Sequence, residues 1–294
     1  MILKKTNRQI VIISGGPGGI ATAIQLQRYG LEPLRLERRE LGGLLWNANL
    51  IENYPGFPNG VSGSKLIGLM KKQVERLGVE VKREEVMEVD WNESCFKVVT
   101  QKTERTADYL VIASGTKPKP LPNVVSPFAK NKVFTEVWPL LEEVGKQIVI
   151  VGAGDAAFDY ALNLSEKRNF VTILNRGETV KCLGLLSDRA AREPRITYRA
   201  RMAVRQIKTD ETATRLLVQC EAEAFEADYV LFAIGRDPNL DFLSEEVRHR
   251  EKELTEAGRL YFVGDVINGL YRQTAIAAGD GLRAAMQIYS RISK

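Results

Sequence analysis

The chain has 294 residues, of which 44% are hydrophobic and 27% are charged, with a net charge of +5, one His and three Cys. This composition indicates a globular protein long enough for two domains, and it excludes a disordered chain, a collagen and a disulfide scaffold. The longest apolar runs have strand length, far short of the roughly 20 residues that cross a bilayer. Because Met1 to Gln9 also carries no secretory signal, we expect a cytoplasmic protein with no membrane association.

The cysteine and histidine positions exclude several chemistries. Cys95, Cys182 and Cys220 lie far apart in the sequence, without a C-x-x-C pair, and His249 stands in the charged run from Glu245 to Glu253. A Cys/His zinc site therefore has too few ligands close together, and a local redox dithiol is absent. We expect three small buried cysteines, a solvent-exposed histidine and no metal.

The first informative segment is QIVIISGGPGGIATAIQLQRY, from Gln9 to Tyr29. An apolar strand leads into a glycine cluster and then an amphipathic helix, the arrangement in which backbone N–H groups approach a pyrophosphate. A second apolar strand, Pro33 to Leu36, is followed by Glu37. Glu37 stands about 20 residues after the glycines, where a dinucleotide-binding unit needs an acceptor for ribose hydroxyls.

The same pattern returns in QIVIVGAGDAAFDYALNL, from Gln147 to Leu164. Gly152, Gly154 and Ala157 form G-x-G-x-x-A between a strand and a helix, and the next strand, Val171 to Leu174, ends before Asn175. Two nucleotide folds in one chain are typical of a flavoenzyme that exchanges electrons with a nicotinamide cofactor.

Further motifs follow in a specific order along the chain: GGPGG at Gly15 to Gly19, IENYPGFP at Ile51 to Pro58, VIASGTKP at Val111 to Pro118, FAIGRDPN at Phe232 to Asn239, and FVGDV with YRQTAIAAGDG between Phe262 and Gly281. Together they resemble the low-molecular-weight thioredoxin reductase type of FAD/NAD(P)-dependent oxidoreductase over nearly the whole chain. The resemblance implies an α/β fold with two Rossmann-like, three-layer ββα domains, the second inserted into the first, and a homodimer. The implied domains are an FAD-binding domain at residues 1–117 and 239–294 and an inserted NAD(P)-binding-like domain at 118–238.

By resemblance, FAD is the first cofactor. Gly15, Gly16 and Gly19 would cradle its pyrophosphate, Glu37 would bind the adenosine ribose, and the last helix would direct backbone donors towards the isoalloxazine. The implied FAD-binding residues are Ser14, Gly15, Gly16, Pro17, Gly18, Gly19, Glu37, Arg38, Gly43, Leu44, Asn53, Ala113, Ser114, Gly115, Gly264, Asp265, Arg272, Gln273 and Thr274. Ser14 replaces the usual first glycine, which we expect to be tolerated with a negative φ.

The inserted domain is the predicted site of NADP(H) or NAD(H). Its implied binding residues are Gly152, Ala153, Gly154, Asp155, Ala156, Asn175, Arg176, Lys181, Ile234 and Gly235. NADPH users of the family carry a basic cluster after the second strand, whereas this chain has Arg176, then Gly177, then Lys181. This departure favours NADP only slightly over NAD, and it leaves open a second FAD in the same site.

The largest departure concerns the redox-active C-x-x-C that the family carries shortly before the second fingerprint. That region reads Thr135-Glu136-Val137-Trp138-Pro139, without either thiol. We therefore expect no conventional thioredoxin reductase activity, because thiol–disulfide exchange has no nucleophile there. Trp138 is either a candidate flavin-facing residue or an ordinary packing residue, and we assign no catalytic side chain.

The segment from Arg189 to Lys208 is strongly basic. Its cations are Arg189, Arg192, Arg195, Arg199, Arg201, Arg205 and Lys208, against the single acid Glu193. This run is either a solvated face or, through Arg199 and Arg201 on one face of a strand, a surface for an acidic redox partner or for nucleotide phosphates. The motifs are those of a flavoenzyme throughout the chain, so we do not expect nucleic acid binding.

Three functions remain open from the sequence. The first is an FAD enzyme that transfers electrons between NAD(P)H and a protein carrier such as ferredoxin or flavodoxin, or a small acceptor. The second is a pyridine-nucleotide-independent flavoprotein with another ligand, such as a second FAD, and the same carriers as partners. The third is a non-catalytic flavin-binding sensor. For the first function, the resemblance implies a rotation of the inserted domain, and Thr116-Lys117-Pro118 and Arg236-Asp237-Pro238 have the turn chemistry of two hinges.

Overall fold

The computed structural model describes residues 8–209 and 214–293. The prediction about the start of the chain, Met1 to Gln9, falls almost entirely outside the described residues. Within the described ranges, no helix is both long and apolar enough to cross a membrane.

The described residues form strands and helices that alternate along both halves of the chain. The helices are α1 (Pro17–Arg28), α2 (Gly63–Arg76), α3 (Asp155–Glu166), α4 (Gly184–Arg192), α5 (Glu245–His249), α6 (Glu251–Glu256) and α7 (Thr274–Ile292). The strands are β1 (Ile10–Ile13), β2 (Leu34–Glu37), β3 (Val81–Arg83), β4 (Val86–Asn92), β5 (Cys95–Thr100), β6 (Glu104–Ala107), β7 (Tyr109–Ile112), β8 (Thr116–Pro118), β9 (Val133–Phe134), β10 (Gln147–Val151), β11 (Phe170–Leu174), β12 (Ile196–Arg199), β13 (Val204–Lys208), β14 (Leu216–Cys220), β15 (Ala224–Ala227), β16 (Tyr229–Phe232), β17 (Arg236–Pro238) and β18 (Leu260–Phe262).

The chain divides into two compact units. The first contains the chain up to Trp46, Ile51–Lys117 and the chain from Asp237 onwards, and the second contains Asn47–Leu50 and Pro118–Arg236. The boundary at which the chain returns to the first unit therefore lies two residues earlier than the predicted 238/239 boundary. The sequence also did not predict that Asn47–Leu50 groups with the second unit. The assignment of the units to FAD and to NAD(P) stays a prediction.

The first unit has three layers. Its central sheet is parallel in the order β18-β7-β1-β2-β3, and a three-stranded antiparallel sheet has the order β4-β5-β6. Alternate residues of β1 face opposite layers. Ile10 and Ile12 pack with α1 and α7, whereas Val11 and Ile13 pack with the antiparallel strands.

The second unit repeats this design. Its parallel sheet has the order β12-β11-β10-β16-β9, and its antiparallel sheet has the order β13-β14-β15. Ile148 and Ile150 of β10 pack with α3, whereas Val149 packs with the antiparallel strands. Since both units combine a parallel sheet with helices on one face and a small antiparallel sheet on the other, the predicted α/β class with two Rossmann-like ββα domains is confirmed.

The two predicted hinges do not form turns. Thr116–Pro118 and Arg236–Pro238 are the short strands β8 and β17, which pair in a two-stranded sheet. The physical reason is that proline fixes its own φ near −65° and restricts the preceding residue to extended conformations. Both segments are therefore extended and do not form turns.

Candidate functional site

The first glycine cluster joins the carboxyl end of β1 to the amino end of α1. Gly16 is the N-cap of α1 and Pro17 its first residue, and no side chain caps the helix. By contrast, Ser62 caps α2 by accepting a hydrogen bond from the backbone N–H of Lys65. The first-turn N–H groups of α1 are thus available to an anion, which suits a pyrophosphate.

At two glycines around this turn, the backbone of a neighbouring residue comes so close that there is little or no room for a side chain. A Cβ on Gly19 would stand 2.3 Å from the carbonyl oxygen of Ser14, and one on Gly43 would stand 3.2 Å from Cα of Gly16. Gly42 donates its N–H to the carbonyl of Gly15 (2.8 Å), so the segment that also contains Leu44 lies against the glycine turn. This close packing leaves a cradle of bare backbone that fits the diphosphate of FAD.

The prediction that Ser14 keeps a negative φ is wrong, because its φ is +85°. The turn from strand to helix needs a left-handed backbone here, and the corresponding Gly152 of the second fingerprint has a φ of +139°. A non-glycine residue in this region costs about 1–2 kcal/mol. The conformation of Ser14 is held by its N–H, which donates to the carbonyl of Leu36 (2.8 Å), and by its hydroxyl, which donates to Glu37 (3.2 Å).

Glu37 ends β2 beside the glycine turn and is buried. Its Oε2 accepts the N–H of Gly15 at 2.5 Å, and its Oε1 accepts the N–H of Arg39 at 2.9 Å. The neighbouring Arg38 is exposed, with its guanidinium 3.7 Å from Glu85. The carboxylate therefore stands at the glycine loop, and its ribose-binding role stays a prediction.

Arg35 lies two residues before Glu37 on the same face of β2. Its side chain is fully buried, and its guanidinium nitrogens have no hydrogen-bond partner among the described residues. Burial lowers the pKa of Arg35 to about 10, and the charge of Glu37 opposes this shift. No sequence pattern marks Arg35, because a single arginine in a strand carries no recognisable signal.

The remaining predicted FAD residues gather at the carboxyl edge of the same sheet. Ala113 directly follows β7, and Gly264 lies shortly after the end of the neighbouring strand β18. Ser114 donates its hydroxyl to the carbonyl of Asn239 (2.6 Å), and Gly115 accepts the N–H of Asn239 (3.0 Å). Residues from both sequence segments of the first unit thus meet at this edge, where parallel sheets place their ligands.

The last helix begins where the sequence predicts. Gln273 is the N-cap of α7, Thr274 its first residue and Arg272 the residue before, and no side chain caps the helix. The side chain of Gln273 accepts a hydrogen bond from the amide of Asn53 (2.8 Å), which joins two predicted flavin-site residues far apart in sequence. Asp265 lies in the 3-10 turn Gly264–Val266, shortly before this helix.

Asp280 is a residue of this region that the sequence analysis missed. Its Oδ2 accepts the N–H of Gly264 (3.2 Å) and the amide of Asn268 (2.6 Å). It therefore fixes the turn that carries Asp265. Asp280 stands inside the AAGDG motif, but the sequence alone does not show which backbone its carboxylate reaches.

The second glycine fingerprint has the same geometry in the other unit. A Cβ on Gly152 would stand 2.3 Å from the carbonyl oxygen of Ala233, and Gly154 is the N-cap of α3 without a side-chain cap. Asp155 accepts the N–H of Leu183 (2.7 Å) at the start of this helix. The turn thus offers backbone donors to a second diphosphate.

The other predicted residues of this site lie in or beside the loops around the second fingerprint. Ala153 accepts the N–H of Lys181 (2.9 Å), which brings the exposed Lys181 beside the glycine turn. Ala156 is exposed on the first turn of α3, Ile234 is 39% exposed, and Gly235 has a φ of +111°. These residues line the carboxyl ends of β10 and β16.

Asn175 and Arg176 follow β11, and they differ in exposure. Asn175 is buried, donates its amide to the carbonyl of Thr179 (3.1 Å) and to the hydroxyl of Tyr198 (2.8 Å), and accepts the N–H of Gly177 (3.0 Å). It therefore shapes the turn, while the exposed Arg176 presents its charge to solvent.

The segment at the expected dithiol position belongs to the second unit. Trp138 begins the 3-10 turn Trp138–Leu140 and is 44% exposed, and its indole N–H donates to Glu136 (3.0 Å). Glu136 also pairs with Arg236 (3.2 Å), and the backbone N–H of Trp138 donates to Asn47 (3.2 Å). The flavin-facing role of Trp138 stays a prediction.

The basic segment does not present its arginines on one strand face. β12 ends at Arg199, because the N–H of Asn175 makes the last ladder bond to the Arg199 carbonyl (2.8 Å), and Arg201 follows in a loop with a φ of +58°. The expectation that Arg199 and Arg201 share one face of a strand is therefore wrong. Ion pairs join Arg195 to Glu193, Arg201 to Glu178, and Arg205 to Glu221. Of the remaining cations, Arg189 and Arg192 lie on α4, Arg199 ends β12, and Lys208 ends β13.

A profile of the family described as pyridine nucleotide-disulphide oxidoreductase matches residues 8–281. The chain belongs to this family. The resemblance stated from the sequence motifs is thereby confirmed, and the protein is an FAD-dependent oxidoreductase of thioredoxin reductase-like fold.

Individual members of the pyridine nucleotide-disulphide oxidoreductase family match over full length. The thioredoxin reductase of Chlamydia trachomatis is 29% identical over 308 residues, covering 96% of this chain and 97% of the relative. The structure of Lactococcus lactis thioredoxin reductase matches with a TM-score of 0.83 and 26% identity, covering 98% of this chain and 99% of that one. That of T. acidophilum thioredoxin reductase matches with a TM-score of 0.82 and 25% identity, covering 97% and 99%. These comparisons give no support to a second FAD, and they do not show ferredoxin or flavodoxin as partners.

The cysteines of this family member are separate free thiols. Cys95 lies on β5, Cys182 before α4 and Cys220 on β14, and each is partly rather than fully buried. Burial raises the pKa of Cys182 and of Cys220. Both thiols are therefore poorer nucleophiles than an exposed cysteine. The solvent-exposed position expected for His249 is correct, at the end of α5.

Asp159 is a third residue, after Arg35 and Asp280, that no sequence pattern indicated. It lies on α3, and its Oδ2 accepts the backbone N–H of Asn49 (3.1 Å). Burial raises the pKa of Asp159 to about 6, against the lowering effect of hydrogen bonds from the backbone of Asn49 and Leu50. This contact holds the short Asn47–Leu50 segment in the second unit. An acidic residue within an amphipathic helix gives no sequence signal for such a long-range contact.

Proposed function

We propose that this protein transfers electrons from NAD(P)H, through FAD, to a protein carrier such as ferredoxin or flavodoxin or to a small acceptor, without a protein dithiol. One observation carries the proposal. The family frame retains both glycine fingerprints, while Thr135–Pro139 supplies no cysteine and the three thiols lie on β5, in the loop before α4 and on β14. Thioredoxin reduction, which the names of the relatives state for those proteins, is not proposed for this chain.

The residues of the first unit fit FAD. The uncapped amino end of α1 and the bare backbone around Gly16 would hold the diphosphate, and Glu37 would hold the ribose. The uncapped amino end of α7, with Gln273 bonded to Asn53, would direct donors at the isoalloxazine. Bound FAD supplies both hydride and single-electron chemistry, so no side chain has to act as an acid or a base in that exchange.

The residues of the second unit fit a pyridine nucleotide. Gly154 and the amino end of α3 would hold its diphosphate, while Arg176 follows β11 as an exposed guanidinium. Arg199 ends the neighbouring parallel strand, paired in register with Leu174, the last residue of β11. Two arginines therefore follow the same edge of the sheet, which supports NADPH over NADH because guanidinium groups match a 2′-phosphate.

The decisive experiment is anaerobic mixing of the purified flavoprotein with NADPH or NADH. We expect NADPH to bleach the flavin absorbance rapidly, and Arg176→Gln to slow bleaching by NADPH more than by NADH. A protein whose flavin neither nucleotide reduces would contradict the proposal and leave the pyridine-nucleotide-independent flavoprotein or the flavin-binding sensor.

Two controls separate the alternatives. A triple variant, Cys95→Ser with Cys182→Ser and Cys220→Ser, should retain the rate of flavin reduction and of electron delivery to a carrier, whereas loss of delivery alone would assign it to a thiol. Flavin released by denaturation should amount to about one FAD per chain. A ratio near two would instead place a second flavin in the protein.

A further inference from the structure

A cleft in the first unit lies apart from the glycine fingerprint. It has a volume of about 890 Å³ and runs between the edge strand β18 and the second half of α7. Tyr109, at the amino end of β7, and Gly258, just before β18, also line it. The cleft extends along β18 to Phe262 and to Ile267 beyond its carboxyl end, but none of the predicted FAD residues lines it.

The charge of the cleft is strongly positive. Four of its lining residues are arginines, namely Arg8, Arg259, Arg283 and Arg291, and none is acidic. The nearest paired carboxylate is Asp108, which lies 3.5 Å from the guanidinium of Arg8 and 3.7 Å from that of Arg259. Even with Asp108 included, three net positive charges remain.

Two of these arginines stand on one face of α7. Arg283, Gln287 and Arg291 follow each other at intervals of four residues, so their side chains project from the same side of the helix. In the described part of the chain, neither Arg283 nor Arg291 forms an ion pair. Arg291 donates to the backbone carbonyl of Glu256 (3.2 Å), which places its guanidinium against Gly258. Both charges thus remain available to an anion.

Two tyrosines also line the cleft. The guanidinium of Arg259 lies 5.5 Å from the ring centre of Tyr109 and donates to the carbonyl of Asp108 (3.1 Å), so its orientation is restrained. Tyr261 is only 8% exposed, and its hydroxyl lies beside the guanidinium of Arg291. Burial raises the pKa of Tyr261, while the nearby Arg291 opposes the shift.

We propose that this cleft binds a small molecule that carries a diphosphate group. A diphosphate has about three negative charges at neutral pH, which balances the net charge of the cleft, and guanidinium groups match phosphate oxygens in geometry. The volume lies in the range of small-molecule sites, about 300–1,000 Å³. Arg283 and Arg291 are separated by about 12 Å along the helix axis, since each residue of a helix rises about 1.5 Å, and this favours an extended anion over a single phosphate ion.

The test uses the flavin-loaded full-length protein and titration calorimetry at constant ionic strength, with pyrophosphate, ADP and citrate as probes. The variant is Arg283→Gln combined with Arg291→Gln. The matched control is Arg76→Gln, which removes an exposed arginine from the last turn of another helix, α2, in the same unit. Flavin content and melting temperature establish that both variants are folded.

We expect pyrophosphate to bind the parent protein and Arg76→Gln alike, and the double variant at least about tenfold more weakly. Tighter binding of ADP than of pyrophosphate, with the same loss in the double variant, would identify the ligand as a nucleoside diphosphate. Equal binding of both would identify the diphosphate group alone as the determinant. Unchanged binding in the double variant would assign the probe to another site, such as the second fingerprint, and overturn the proposal, as would citrate binding as tightly as pyrophosphate.

Discussion

The contact between α1 and α7 gives a sharp test of the first unit, because two glycines of α7 differ completely in their surroundings. A Cβ on Gly281 would stand 2.2 Å from the carbonyl oxygen of Gly18 and 2.9 Å from Oγ1 of Thr22, whereas a Cβ on Gly279 would meet nothing within 4 Å. Ordinary contact begins at 3.4 Å, so Gly281→Ala must separate the two helices by about 1 Å.

The two alanine variants should change stability in opposite directions. Overpacking of this kind costs about 1–3 kcal/mol, while Gly279→Ala gains about 0.5–1 kcal/mol because alanine favours the helix. Since Gly18 lies in the first turn of α1, the displacement should also weaken FAD binding in Gly281→Ala.

The measurement combines urea unfolding, followed by flavin fluorescence, with titration of the apoprotein by FAD. We expect Gly281→Ala to unfold at lower urea and to bind FAD at least about tenfold more weakly, and Gly279→Ala to unfold at slightly higher urea with unchanged affinity. If the two variants were equally stable and bound FAD equally well, the close approach of α1 and α7 would not be what holds the cradle.

Two further predictions concern the second unit. Asp159 has its pKa raised from 3.8 to about 6 by burial, so the stability it contributes is present below pH 4 and is lost as the pH rises through 6. Relative to Asp159→Asn, the parent protein should lose on the order of 2 kcal/mol of unfolding free energy between pH 4 and 7, and parallel pH profiles in urea denaturation would refute this. Gly152→Ala should abolish flavin bleaching by NADPH while FAD content stays normal, because the new Cβ meets backbone at 2.3 Å. Gly184→Ala, which meets nothing within 4 Å, is its control, and normal bleaching in Gly152→Ala would contradict the assignment of this turn to the nucleotide.

The architecture was predictable from the sequence because its signals are local. Each glycine fingerprint stands between an apolar strand and an amphipathic helix, and that order within Gln9–Tyr29 and Gln147–Leu164 is enough to predict a βα unit. The start of α7 beside Gln273 and the three-layer ββα arrangement, by contrast, were implied by the resemblance of the motifs to a known family and not by a local pattern.

The missed features depend on contacts across long sequence separations. The φ of Ser14 depends on where Glu37 and Leu36 lie relative to β1. The end of β12 at Arg199 depends on the ladder with β11, so an alternating pattern alone extended the strand too far. Asp159 acts through Asn49, a residue from a distant part of the chain. A short stretch of sequence cannot show these contacts, because the residues that make them lie far apart in the chain.

The separation of the three cysteines also limits how many electrons the loaded enzyme holds. A dithiol stores two electrons in addition to the two of its flavin, but Cys95, Cys182 and Cys220 are free thiols on separate elements. Each chain with one FAD therefore stores two electrons rather than four, and a dithionite titration should reach its end point after two. Reagents that bridge neighbouring thiols, such as trivalent arsenicals, have no paired target in this chain and should leave it active.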